Sequence, residues 1–176
     1  MKITSSREVY KCNVFRVTED KASDRKTGFE IRRSVVRHAG SAVMMAVDEK
    51  KRVLLVRQFR LPAERELWEL PAGRLDPGEK PLAAAKRELV EETGYRARKW
   101  TRLASFFASP GYVQERMTIF MATDLQEGEA KPMEDERIAT RWFTRKELAT
   151  MIRGGKVEDG KTIIGFLLWQ SPAMRK

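Results

Sequence analysis

The chain of 176 residues is long enough for one domain with a real core, and 41% hydrophobic with 34% charged residues describes a globular protein. No apolar run approaches the ~18 residues of a membrane span, and the N-terminus MKITSSREVYKC lacks an apolar leader segment, so the expected location is the cytosol. The net charge of +10 comes from basic residues spread along the whole chain, with no arginine-rich run, basic–aromatic interleaving or zinc finger. Nucleic acid is therefore not an expected partner, while a small anionic substrate accounts for part of the excess.

Single residues exclude further classes. Cys12 is the only cysteine, which rules out an internal disulfide and a cysteine metal site. His38 is the only histidine and sits in a strand-like segment, where a structural role is the ordinary one. Carboxylates remain as the acid/base groups.

In chain order, residues 8–18 and 29–36 are rich in β-branched and aromatic residues and flank the polar DKASDRKTG, so they read as an antiparallel pair that precedes the main fold. Residues 41–47 and 52–59 form a second pair of strands around the turn DEKK, and their near-continuous apolar runs predict burial on both faces. LWELPAG follows, with Pro71 ending a strand and Gly73 allowing a tight turn. Pro81 suits a first helical position and Gly94 a left-handed cap, which predicts a helix over about 80–93 with Leu82, Ala85 and Leu89 facing inward. Further strands are expected at 100–107, 116–122 and 138–143, and helices at 145–153 and 160–170. Residues 126–137 form a long polar loop carrying Glu127, Glu129, Glu134, Asp135 and Glu136.

The chemistry concentrates in residues 73–95, GRLDPGEKPLAAAKRELVEETGY. Glu88 and Glu92 stand one turn apart on a shared helix face, with Glu91 beside them and Arg87 placed to pair with Glu91. Carboxylates so close repel unless a cation lies among them, and a hard divalent ion with oxygen ligands does this. An exposed helix laced with ion pairs has the same local composition. The complete pattern decides between them: Gly73, Glu79 and Arg87-Glu88-Leu89-Val90-Glu91-Glu92-Thr93-Gly94-Tyr95 resemble the Nudix box without a mismatch at any defining position.

The resemblance implies an α/β fold, a Nudix-type α/β/α sandwich around a mixed sheet, with 1–38 as an N-terminal β region and 39–176 as the hydrolase domain. It implies metal-dependent hydrolysis of nucleoside diphosphates linked to another group, with Mg²⁺ or Mn²⁺ held by the Ala72 carbonyl, Glu88 and Glu92. Glu91 is either a third ligand or a support for the others. Glu79 would steady the loop or a bridging water.

Three features outside the box resemble the ADP-ribose pyrophosphatase branch: Arg57-Gln58-Phe59-Arg60 with Trp68-Glu69-Leu70-Pro71-Ala72-Gly73, then Ser109-Pro110-Gly111-Tyr112, and Asp159-Gly160-Lys161-Thr162 before the last helix. By that resemblance Arg60, and with it Arg57, contacts the substrate diphosphate, an arginine fork being suited to phosphate; a salt bridge to one of the chain's many acids is the competing role. Pro110 belongs to a turn that shapes the sugar end of the pocket. Many relatives carry an acidic pair after this turn, whereas Val113-Gln114-Glu115 keeps only Glu115. The substrate class is thus ADP-ribose or a similar nucleoside diphosphate sugar. Two rivals are a house-cleaning hydrolase of oxidised nucleotides and a non-catalytic Nudix-like sensor of a nucleotide sugar. Relatives place a glutamate of the loop before the last strand near the metals as base, which matches Glu136, with Glu134 next. They also imply a homodimer in which the N-terminal region walls the other subunit's pocket.

Overall fold

The computed structural model describes residues 1–130 and 137–171. Its chain order is β1 (Lys2–Lys11), β2 (Phe15–Ser23), β3 (Glu30–His38), β4 (Ser41–Ala46), β5 (Arg52–Arg60), β6 (Arg65–Glu69), β7 (Ala72–Arg74), α1 (Pro81–Thr93), β8 (Arg96–Phe107), β9 (Arg116–Gln126), β10 (Ala139–Thr144), α2 (Arg145–Arg153) and α3 (Gly160–Gln170). Strands pair in the orders β1-β2-β3, β10-β5-β6 and β7-β4-β9-β8. No helix among the described residues is long and apolar enough to cross a membrane.

Two compact units emerge, one of Met1–Gly40 with Phe106–Met117 and one of Ser41–Ser105 with Thr118–Lys176. In the first, β2 pairs antiparallel with both β1 and β3. The sequence reading of 8–18 as one strand is corrected here: it joins the end of β1 to the start of β2 across a tight connection. Cys12 closes that connection, its amide donating to the Phe15 carbonyl at 2.9 Å. The turn has no glycine or proline to mark it, and every residue of β1 is exposed, Ile3, Val9 and Tyr10 included, so no buried apolar stripe marks the strand. Segment 106–117 joins this unit through a parallel bridge of Val36 to Val113, with Val36 N–H donating to the Tyr112 carbonyl and Gln114 N–H to the Val36 carbonyl, each at 2.8 Å.

The second unit holds the core. Every residue of β4 is buried, as its apolar run predicts. β4 and β5 nevertheless enter different sheets and share only the bridge Val47–Val53 beside the DEKK turn. β7 lies antiparallel on β4 with Ala42 opposite Gly73 and Val43 opposite Ala72, and the Met44 amide donates to the Pro71 carbonyl at 2.8 Å. This pairing fixes the backbone that leads into the acidic helix.

Helix α1 begins with Pro81 after Lys80 and ends at Gly94, whose φ of 75° is the left-handed cap that the sequence predicts. Ala85 and Leu89 are fully buried against Ala42, Met44, Ala46, Phe120 and Ala122. Leu82, expected on the same stripe, is 37% exposed. The buried arc is instead Ala84, Ala85, Glu88, Leu89, Glu92 and Thr93, so the helix is rotated to bring two carboxylates inward and Leu82 falls at its margin. Truncation should separate these positions. Leu89→Ala is expected to cost about 2–5 kcal/mol in urea unfolding, and Leu82→Ala under about 1 kcal/mol.

Candidate active site

The site is built where α1 passes over the turn after β6. Glu88 and Glu92 are 8% and 5% exposed. A Cβ placed on Gly73 would lie 1.8 Å from the Glu88 carboxyl carbon and within 2.3 Å of both its oxygens, so only glycine leaves room for that carboxylate. Glu88 is thereby set beside the β7 backbone that carries the Ala72 carbonyl.

Arg87 gathers the surrounding acids. Its Nη1 donates to Glu88 Oε1 at 2.7 Å and to Glu91 Oε2 at 2.9 Å, and its Nη2 donates to Glu79 Oε2 at 2.9 Å and to the Arg74 carbonyl at 3.1 Å. The Glu91 pair is the one that four-residue spacing predicts. Glu79 holds the guanidinium well above its ordinary basicity, with Glu88 and Glu91 adding to this against the opposing effect of partial burial. Reciprocally, the bond from Arg87 and then the Asp76 amide keep the Glu79 carboxyl below its usual range. Glu79 therefore braces the loop ahead of α1, as the sequence reading expects of it.

A second cluster lies at the ends of β5 and β6. Glu69 is 1% exposed. Arg60 forks onto it, Nε to Oε1 and Nη2 to Oε2, both at 2.8 Å, and Lys161 Nζ donates to the same Oε2 at 2.6 Å. Burial alone would push this carboxyl up, and the bonds from Arg60 and Lys161 outweigh it and bring it below the usual value. Lys161 also reaches Asp159 Oδ1 at 2.9 Å. Asp159 caps α3 by accepting from the Thr162 amide at 3.0 Å, and Thr162 Oγ1 accepts from the Leu70 amide at 2.7 Å. Arg60 is held more basic than usual, first by Glu69, then, against partial burial, by the charges of Glu69, Glu92 and Asp159. Of the α1 acids, Glu92 is the one that feels this charge.

Among the other expected residues, Arg57 lies 3.3 Å from Glu66 and stacks over the Trp68 ring at 5.4 Å. Pro110 belongs to the N-terminal unit, where it lines a largely apolar cleft of about 550 Å³ with Ile3, Ile31, Arg37, Phe107 and Tyr112. Gln114, which replaces one of the expected acids, accepts from Arg37 at 3.0 Å, and Glu115 lies 3.6 Å from His38. A cleft of about 660 Å³ in the other unit, walled by Asp48, Arg52, Tyr95, Lys99 and Trp142, contains none of the expected site residues. Glu134, Asp135 and Glu136 lie outside the described residues, but the root of their loop is visible: a Cβ on Gly94 would meet the Gly128 carbonyl oxygen at 2.5 Å.

Sequence reasoning named Glu69, Asp159, Lys161 and Thr162 only as parts of motifs and gave them no role. The available signal was a lone acid between apolar neighbours in Trp68-Glu69-Leu70, a pattern that asks for a buried cation.

The NUDIX domain family model matches residues 36–164. The chain belongs to the Nudix family. It is 38% identical over 133 residues to "ADP-ribose pyrophosphatase" of Bacillus subtilis, covering 74% of this chain and 72% of that protein. It is 36% identical over 140 residues to "ADP-ribose pyrophosphatase" of Mycobacterium tuberculosis, with 78% and 68% covered, and 35% identical over 134 residues to "GDP-mannose pyrophosphatase" of Citrobacter koseri, with 71% and 70% covered. In fold, it matches a solved "ADP compounds hydrolase" with a TM-score of 0.80 over 96% of this chain and 91% of that one, at 22% identity. The expected Nudix-type α/β architecture is therefore the observed one.

Nudix hydrolases generally use divalent metals, and the donor set suits a hard cation. Among the described residues no three carboxylate, histidine or cysteine groups converge into a closed cage. Mg²⁺ does not require one, since it is commonly held by one or two carboxylates with waters and substrate phosphates. Glu88 against Gly73, with Glu92 one turn on, offers such an open set. Gly73→Ala tests the cradle. The backbone tolerates alanine, but Glu88 must move, so unfolding stability is expected to stay within about 1 kcal/mol while turnover falls by at least ~10²-fold.

Proposed function

We propose that this Nudix protein hydrolyses the diphosphate linkage of ADP-ribose or a similar nucleoside diphosphate sugar to a nucleoside monophosphate and a sugar phosphate. The observation that carries the reading is the Glu88 carboxylate seated over Gly73 in a complete Nudix box. The names of the relatives support the substrate class.

The Ala72 carbonyl, Glu88 and Glu92, with Glu91 as a further ligand or support, would hold Mg²⁺ or Mn²⁺. When bound, the metal supplies charge neutralisation at the diphosphate and lowers the pKa of water. Arg87 keeps Glu79, Glu88 and Glu91 together against their mutual repulsion. Arg60, anchored through Nε and Nη2, directs its remaining Nη1 edge to a phosphate oxygen, and Arg57 adds positive charge along the same strand. Water oxygen bonds to one phosphorus, the bridging P–O bond breaks, and a loop carboxylate, Glu136 before Glu134, takes the water proton. The resemblance assigns the sugar end to Pro110 and Glu115. An unreactive sensor would gain nothing from the crowding of Glu88, Glu91 and Glu92, and a hydrolase of oxidised nucleotides would need a base-reading pocket in place of the Arg57–Arg60 and Ser109–Tyr112 features.

A turnover series with ADP-ribose and GDP-mannose, product identification and added Mg²⁺ or Mn²⁺ tests the assignment. Chelator should abolish activity. Glu92→Gln is expected to lower kcat by at least ~10²-fold, and Glu136→Gln by ~10² to 10⁴ with little change in KM. Full activity with excess chelator would sink the reading, and loss at Glu134→Gln with near-normal Glu136→Gln moves the base to Glu134.

The proposal extends to assembly and location. Residues 1–38 act as a dimer-forming β region and 39–176 as the hydrolase domain, working in the cytoplasm with the N-terminal region of one subunit walling the pocket of the other. Support comes from exposed Ile3, Val9, Tyr10, Val14 and Phe29 around an open edge strand, a surface that proteins ordinarily cover. Light scattering at micromolar concentration should give the mass of a dimer; a fully active monomer refutes this part.

A further inference from the structure

We infer that Lys161, at the start of α3, is a positioning residue that fixes the phosphate-facing fork of Arg60 by clamping the buried carboxylate between them. The inference rests on the proposed contact of Arg60 with the diphosphate.

Arg60 is long, and its side chain is 40% exposed, whereas those of Glu69 and of Lys161, the other cation on Glu69, are 2% and 7% exposed. An exposed guanidinium held at one end by a fork has the orientation of whatever carboxylate it grips. The carboxylate of Glu69 could rotate about its terminal bonds if Arg60 were its sole anchor, and both would then sample other positions. Lys161 removes that freedom by binding Oε2, the oxygen that Arg60 Nη2 also uses. Lys161 is itself anchored to Asp159, and Asp159 is fixed by the cap of α3. A continuous relay of charge-assisted bonds therefore runs from the helix end through Asp159, Lys161 and Glu69 to Arg60. Arg60 grips Glu69 through Nε and Nη2, so the Nη1 edge is the one offered to an anion.

The relay has a second strand. Thr162 holds the Leu70 amide, so the same helix end fixes the backbone between Glu69 and the turn at Ala72. The two effects are separable. Loss of Lys161 should act through Arg60, whereas loss of a general support for the turn should act whether or not Arg60 is present.

A double-mutant cycle on kcat/KM for ADP-ribose makes this distinction, using wild type, Arg60→Ala, Lys161→Met and the double variant, each first checked for folding by circular dichroism. Arg60→Ala and Lys161→Met are each expected to lower kcat/KM by about tenfold or more, with the double variant no worse than Arg60→Ala alone. Equal losses from Lys161→Met in both backgrounds would overturn the inference, because Lys161 would then act elsewhere. No loss from Lys161→Met, with Arg60→Ala impaired, overturns it while leaving the diphosphate contact intact. An unimpaired Arg60→Ala overturns the contact itself, and the inference with it. If Lys161→Met fails to fold, Asp159→Asn replaces it in the cycle, since asparagine keeps the helix cap while weakening the hold on Lys161. It should give a smaller loss that again vanishes in the Arg60→Ala background, and an unchanged or fully additive Asp159→Asn overturns the inference.

Discussion

Carboxylates on one helical face repel one another, and burial raises the cost because water no longer screens them. Glu88 and Glu92 are both buried on α1, with Glu91 and Glu79 close by. Arg87 offsets the crowding by donating to three of these acids at once. The other features around the helix follow from this arrangement. Gly73 lacks a side chain because the Glu88 carboxylate fills that space. β7 pairs with β4 so that this glycine is presented in register, and Leu89 and Ala85 hold the helix on the sheet.

Charge is handled differently in the neighbouring cluster. Glu69 is as buried as the apolar residues of the core, and its two cations come from opposite ends of the unit's sequence. A buried pair of this kind contributes little net stability compared with an apolar substitute, but losing one partner leaves an uncompensated charge. Arg60 meets the α1 acids through space, by the influence of Glu92 on its basicity, while remaining tethered to a rigid hairpin. The second unit thus carries a cluster of acids on α1 and, tethered beside Glu69, an arginine that feels one of them.

The legible and illegible parts of the sequence divide along physical lines. Helix α1 is readable because Pro81 and Gly94 mark its ends, and the start of α3 because Asp159-Gly160 precedes it. The spacing of Glu88, Glu91 and Glu92 announced shared chemistry because a helix converts sequence spacing into facing. Strand β1 was hidden because all its residues are exposed, leaving no alternation to detect. The separate sheets of β4 and β5 were hidden because a short polar turn looks the same whether its strands pair fully or splay apart. Leu82 misled because helical spacing defines an arc, and the buried acids shift that arc away from it. The triad of Arg60, Glu69 and Lys161 could not be read locally at all, since no period links residues so far apart.

That separation also governs when the site comes into being. Glu69 and Lys161 lie 92 positions apart, with β7, α1, β8, β9, β10 and α2 between them. A chain emerging from the ribosome can form α1 and its Nudix box early, from contacts close in sequence, but the carboxylate at Glu69 lacks its second cation until α3 has been made. Until then the growing polypeptide carries its acidic helix while the Arg60–Glu69 pair lacks its partner on α3. The charge-balanced Glu69 cluster therefore forms late relative to α1, once α3 has been synthesised.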